Sequence, residues 1–142
     1  MKKLLVVLTV LFCVVGCSSK KESLNFNKLE KDLLSSSYFS NHEVVSQDAL
    51  EKRDSLDLKN VKNVLMISSK DYNDASMILI ADKSVKSEID SFVSAYNDQW
   101  VKMNYFPEEA ELVKKATYKV MGDYVVYIVS KENDSVLKMI NL

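Results

Sequence analysis

Apolar positions along this chain follow two periods, and each predicts a different kind of element. From Asn25 the residues Phe26, Leu29, Leu33 and Leu34 recur at intervals of three and four, the spacing of one helix face. Asn27 stands three residues before Glu30 as a variant capping box, and Ser35-Ser36-Ser37 is the expected stop. Tyr38 and Phe39 form an apolar plug, Asp48 with Glu51 opens a short helical turn ending at Arg53, and Leu56 and Leu58 return to the core. Two short apolar runs, 61–68 and 75–81, flank the turn-rich segment 69–74 and predict an antiparallel hairpin. Met77-Ile78-Leu79-Ile80 is apolar at every position, as in a strand covered on both faces or one whose second face awaits a partner.

The longest helical signal runs from Ser84 to Tyr105, with Val85, Ile89, Phe92, Val93, Tyr96, Trp100 and Met103 on one stripe. It predicts a helix packed across the sheet. Pro107 suits a first helical turn, Glu108 and Glu109 face the positive end of that helix's dipole, and Lys114 and Lys115 the negative end. A second hairpin follows, 117–121 and 124–130 around Gly122-Asp123, a pair suited to the positive φ angles of a two-residue turn. Its register sets Val120 opposite Val125, Tyr118 opposite Tyr127 and Lys119 opposite Val126. After a polar turn at 131–134, Val136, Met139, Ile140 and Leu142 suggest a last short helix. The expected fold is therefore α+β: a four-stranded, mainly antiparallel sheet of two hairpins, a long amphipathic helix across it, and short flanking helices.

The first seventeen residues change where this domain works. Lys2 and Lys3 precede an apolar run, 4–15, broken only by Thr9. That is short of the roughly 20 apolar residues of a membrane span and suits the core of a signal peptide. Val14-Val15-Gly16-Cys17 matches a bacterial lipobox, in which cleavage after Gly16 leaves Cys17 as the first residue, carrying diacylglycerol. Two acyl chains, at about 0.8 kcal/mol per buried methylene, hold a domain on a bilayer where one is marginal. The expected organisation is a signal peptide at 1–16, a lipidated Cys17 with a polar tether to 24, and one domain over 25–142. The location is the outer face of the cell membrane, and Lys20 and Lys21 lie where an anionic surface attracts them.

Composition narrows the chemistry. Removing the first 16 of 142 residues leaves 126, a single domain. Removing two of the 19 basic residues takes the formal net charge from −1 to −3, which leaves no basic footprint for nucleic acid. Cys13 leaves with the leader and Cys17 takes the lipid, so neither a disulfide nor a thiolate metal site is expected, and no cofactor beyond the diacylglycerol. His42 is the only histidine; it lies beside Glu43 in a polar stretch, and a surface or capping role is expected. Asp71, Asn73 and Asp82 fall at positions one, three and twelve of a calcium-loop frame, but Ser76 stands where glycine is required and Met77–Ile80 reads as strand. Glu108 and Glu109 are explained by the helix dipole; they and Glu111, on a solvated helix, would make poor general acids. Tyr96, Trp100, Tyr105 and Phe106 read as core, the alternative being a stacking platform for a sugar or peptide built on Trp100 and Tyr105.

The order of elements, with Tyr105-Phe106-Pro107-Glu108 and the Gly122-Asp123-Tyr124-Val125 hairpin, resembles a family of small lipoproteins of low-GC Gram-positive bacteria that is known only as a domain of unknown function. The resemblance covers nearly all of the chain after the leader. It implies location and fold and brings no catalytic residue with it. The expectation is a non-catalytic binding or interaction module whose partner is an envelope protein or a cell-wall component. The alternatives are a small-ligand or glycan binder using Trp100 and Tyr105, and an envelope hydrolase using carboxylates such as Asp71 or Asp74.

Overall fold

The computed structural model describes residues 23–54 and 56–141. The leader, Cys17 and most of the tether lie outside the described residues. The fold is α+β. Helix α1 (Phe26–Ser35) leads to strand β1 (His42–Val45) and helix α2 (Gln47–Asp54). Strands β2 (Val64–Ser69) and β3 (Met77–Asp82) form a hairpin, followed by helix α3 (Lys86–Asn97) and helix α4 (Pro107–Lys114). Strands β4 (Thr117–Met121) and β5 (Tyr124–Val129) form the second hairpin, and helix α5 (Asn133–Ile140) closes the described chain.

All five strands are antiparallel, in the order β1-β2-β3-β5-β4. The two expected hairpins exist and join through β3 and β5, in register from Met77 opposite Val129 to Asp82 opposite Tyr124. The expected count of four strands is corrected to five. The fifth, β1, is a four-residue edge strand whose His42-Glu43-Val44-Val45 pattern is too short and too polar to stand out. It is stabilised by pairing with β2, from His42 opposite Ser69 to Val45 opposite Met66.

Every residue of β5 and the first five of β3 are buried, because the sheet is covered on both sides. On one face Met66, Met77, Leu79, Val125, Tyr127 and Val129 pack against Leu50, Ile89, Phe92 and Val113 from α2, α3 and α4. On the other, Ile67, Ile78, Ile80, Val126 and Ile128 pack against Leu29, Leu33, Phe39, Val136 and Ile140. Of the two meanings open for the all-apolar run in β3, the structure selects cover on both faces. Phe39, the expected plug, is fully buried.

The helical signal over 84–105 is not one long helix. A 3₁₀ turn (Lys83–Val85) precedes the twelve residues of α3, and a π turn (Asp98–Lys102) follows them. Asn104, at φ +48°, then ends the helical path, and Pro107 starts α4 at its first turn. The cap of α1 is Asn25, whose side chain accepts from the Lys28 N–H at 3.0 Å, so the expected box at Asn27 lies inside the helix. The Ser46 hydroxyl likewise accepts from the Ala49 N–H ahead of α2.

At the β4–β5 turn only Gly122 has positive φ, +57°, the pattern of a turn that needs glycine at its first central position alone. A Cβ placed there meets nothing within 4 Å, so the cost of a side chain is conformational and not steric. Gly122→Ala is expected to destabilise by about 1–2 kcal/mol, the cost of a left-handed alanine, and Gly122→Asn by less. Denaturant unfolding of the two variants against the parent checks this order.

Candidate functional site

Register divides the sheet into two ends. One carries the start of β1, the β2–β3 turn at 70–76 and the exit from β5; the other carries Asn63, Asp82 and the Gly122 turn. At the first end Ser37, Tyr38, Ser40, Asn41, His42, Asp74, Ser76, Glu109, Leu112, Ser130, Lys131 and Glu132 line a cleft of about 610 Å³. Four separate segments converge there because β1, β3 and β5 all present an end, and α4 is drawn in by Glu109, whose carboxylate accepts from the Ala75 N–H at 2.9 Å.

His42, Ser76 and Asp74 form a connected chain in the wall of this cleft. His42 Nε2 lies 2.8 Å from Ser76 Oγ, and Ser76 Oγ donates to Asp74 Oδ1 at 2.6 Å. The Ser76 backbone N–H also donates to Asp74 Oδ1, at 2.8 Å. Burial pushes the Asp74 carboxyl up, yet the hydrogen bonds from Ser76, with Ser69 and the nearby His42, hold it below the usual carboxylate range. Burial lowers His42, and the attraction of Asp74 only partly offsets it.

These directions assign the protons. Asp74 is ionised near neutral pH, so the single hydroxyl proton of Ser76 lies toward it, and Ser76 Oγ accepts from His42 Nε2–H. His42 is neutral and protonated on Nε2, which leaves Nδ1 a bare acceptor; it is buried with no hydrogen-bond partner among the described residues. A nucleophilic serine needs its proton on the histidine. Here the relay runs the other way, from histidine to serine to aspartate.

The expected surface or capping role for His42 is corrected: the residue is 8% exposed, edge-on to the Phe39 ring at 5.0 Å, because β1 turns it inward at the sheet edge. Asp71 caps its own turn by accepting from the Asn73 N–H at 2.9 Å. Asp82 lies at the opposite end of β3, where its carboxylate accepts from the Lys62 and Asn63 N–H groups, both at 3.0 Å. The calcium-loop frame is thus pulled apart along a strand. Of the carboxylates weighed as an acid–base set, Glu109 reaches the cleft, while Glu111 pairs with Lys114 on the surface.

Trp100 and Tyr105 are treated differently by the fold. Trp100 is half-buried, packed against the core with its ring 6.1 Å from Tyr96 and 6.3 Å from Phe106, and its indole N–H is buried without a partner among the described residues. Tyr105 is 77% exposed. Tyr72, in the β2–β3 turn, is 97% exposed, and Met103 is exposed just beyond the π turn. Sequence reasoning missed the convergence of His42, Asp74 and Ser76. The Asp-x-Ser pair two residues apart before a strand was its one local sign.

Residues 35–130 match the family described as a domain of unknown function, DUF4358. The chain belongs to the DUF4358 family. No curated protein and no solved structure matches the chain. The matched segment of this DUF4358 domain holds His42, Asp74, Ser76 and Glu109, whereas α1 up to its last residue, all of α5, Lys131 and Glu132 lie beyond it.

The lowered His42 value has a consequence for stability. The unfolded chain takes up the imidazole proton at the ordinary value of 6.5, before the folded chain does, so stability is highest above 6.5 and falls as pH drops through the window beneath it. The Asp74 contribution is present above the ordinary 3.8 and is lost only as pH falls through a still lower range. Thermal melts between pH 7.5 and 5 are expected to show a decline that is flattened in His42→Gln.

Proposed function

We propose that this DUF4358 protein is a lipid-anchored, non-catalytic binding module at the outer face of the cell membrane, and that the cleft at the His42 end of the sheet is its binding site. The location rests on residues 1–17, outside the described part, where charge, apolar length, Gly16 and Cys17 fall in lipoprotein order. Among the described residues no helix is long and apolar enough to cross a membrane, so attachment would depend on the diacylglycerol at Cys17.

The observation that carries the non-catalytic reading is the direction of the Ser76 proton. With the hydroxyl committed to Asp74, the serine is held as a strut and the histidine is not its base. A carboxylate hydrolase also fits poorly, since a general acid needs a raised pKa and Asp74 is lowered. The partner expected is an envelope protein or a cell-wall component. A glycan stacked on Tyr105 is the second reading, favoured by the exposure of Tyr105 and Tyr72.

Geometry supports presentation away from the bilayer. Phe26, the first residue of α1, contacts Tyr124 ring to ring at 5.5 Å, and Tyr124 pairs with Asp82 at the end of the sheet remote from the cleft. The tether would enter at that end, with the cleft about 20 Å farther along strands of six residues.

Two measurements test the reading. Cys17→Ala is expected to move the protein from the membrane fraction to the soluble or culture fraction and to abolish incorporation of labelled glycerol; an unchanged membrane fraction would defeat the anchor. A fluorophosphonate probe is expected to leave Ser76 unlabelled, and covalent labelling at that residue would defeat the non-catalytic reading.

A further inference from the structure

Charge is divided unevenly between the two ends of the sheet. At the end remote from the cleft, hydrogen bonds clamp three segments together: Asp82 accepts from the Lys62 and Asn63 N–H groups, and the Lys83 N–H donates to the Asp123 carbonyl at 2.8 Å. The turn before Lys62, closed by the Val61 N–H on the Leu58 carbonyl at 3.0 Å, adds Lys59. Lys59, Lys62 and Lys83 are exposed, and their ammonium groups make no ion pair among the described residues. Of the acids nearby, Asp82 is occupied by the N–H donors of Lys62 and Asn63, Asp57 accepts from the Lys59 N–H, and Asp123 is exposed in the β4–β5 turn. The cleft end is opposite in sign, with Asp71, Asp74, Glu109 and Glu132 set against Lys70 and Lys131.

Helix polarity reinforces the same end. α1 and α3 both begin there, so the positive ends of their dipoles point out of it, where acidic residues are favoured and lysines are not. The first turn of α1 has no acid and carries exposed Lys28. α3 starts at Lys86, three residues after Lys83, with Glu88 as its first-turn acid, and Lys86 is answered by Asp90 at 2.8 Å. Lys28 and Lys83 oppose the dipoles with no ion pair among the described residues to offset them, and such local conflicts collect where a surface serves something outside the fold.

The place where the chain enters gives that surface a partner. The stretch of chain from Cys17 to Ser23 spans at most about 20 Å when fully extended. Phe26 lies against Tyr124, which pairs with Asp82, so an anchor on Cys17 brings the lysine-bearing end, and not the acidic one, to the bilayer.

We infer that the end of the domain bearing Lys28, Lys59, Lys62 and Lys83 docks on the anionic phosphodiester headgroups of the membrane that holds the anchor. This rests on the lipid-anchor reading and adds to it an orientation: the sheet stands end-on, with the cleft turned outward. The tether makes docking an intramolecular event, so a few exposed ammonium groups suffice where a free domain would bind weakly. The negative cleft end is repelled by the same surface, which disfavours the inverted orientation.

The test uses the full-length protein, matured and lipidated in the producing cell and reconstituted into vesicles of phosphatidylcholine alone or of equal parts phosphatidylcholine and phosphatidylglycerol. A bimane fluorophore is attached through Asn60→Cys, between Lys59 and Lys62, or in a second preparation through Tyr72→Cys at the cleft end. Acrylamide, an uncharged aqueous quencher, reads the exposure of each. The expected result is a quenching constant at position 60 lowered about twofold by phosphatidylglycerol, and restored near 1 M salt, where the screening length falls to about 3 Å. Position 72 should be quenched equally in both vesicles. The combined variant Lys59→Gln, Lys62→Gln, Lys83→Gln should remove the difference at position 60; the two hydrogen bonds at Lys62 and Lys83 come from the backbone, so it is expected to melt as the parent does. Equal quenching at position 60 in the two vesicles, protection that survives the triple variant, or protection at position 72 overturns the docking. The mass of the isolated protein reports diacylglycerol on Cys17 separately, so a failed anchor and a failed docking are told apart.

Discussion

The pairing of β3 with β5 is the constraint on which the rest of the structure depends. Two adjacent central strands, apolar on both sides, cannot leave either side in water, and at roughly 25 cal/mol per Å² the exposed area would outweigh a small domain's net stability. Helices must therefore cover both faces. α2, α3 and α4 supply one layer, α1 and α5 the other, and Phe39 reaches beneath the sheet from the loop between α1 and β1. The same requirement sends the chain back and forth past one end of the sheet, and the crossings gather there the polar side chains that cannot be buried.

The character of that end follows from its hydrogen bonds. A carboxylate that accepts both the hydroxyl and the backbone N–H of one serine is fixed in position and kept ionised despite partial burial. A histidine that donates to the same hydroxyl is fixed in one tautomer. Three residue types familiar from hydrolases are present, yet the direction of donation makes them a support for a charged wall, with chemistry set by order of connection and not by composition.

Much of the fold was legible because its signals are local. Both hairpins, the register of Tyr118 with Tyr127, the start of α4 at Pro107 and the burial of Phe39 follow from period, turn chemistry and helix-end preference. What escaped is set by distant partners. The strand at His42–Val45 exists because β2 offers it a ladder, and the helical stripe through Trp100 breaks at a π turn that periodicity alone does not reveal. The candidate site was the least legible part: His42 and Ser76 are 34 residues apart, and the inward turn of the histidine depends on a strand the pattern did not show.

That short strand has a thermodynamic consequence. β1 is an edge of four residues, held by its rungs to β2, by the His42–Ser76 hydrogen bond and by the neighbouring Phe39. Edge segments of this size open in local fluctuations that leave the central strands paired. Each such opening removes the imidazole from the cleft while the remainder of the fold persists, so the cleft has its own free energy of assembly, smaller than that of the domain. Any ligand that contacts His42 would draw on that difference, and the amide protons of residues 42–45 would report it as slowed exchange before the melting temperature changed.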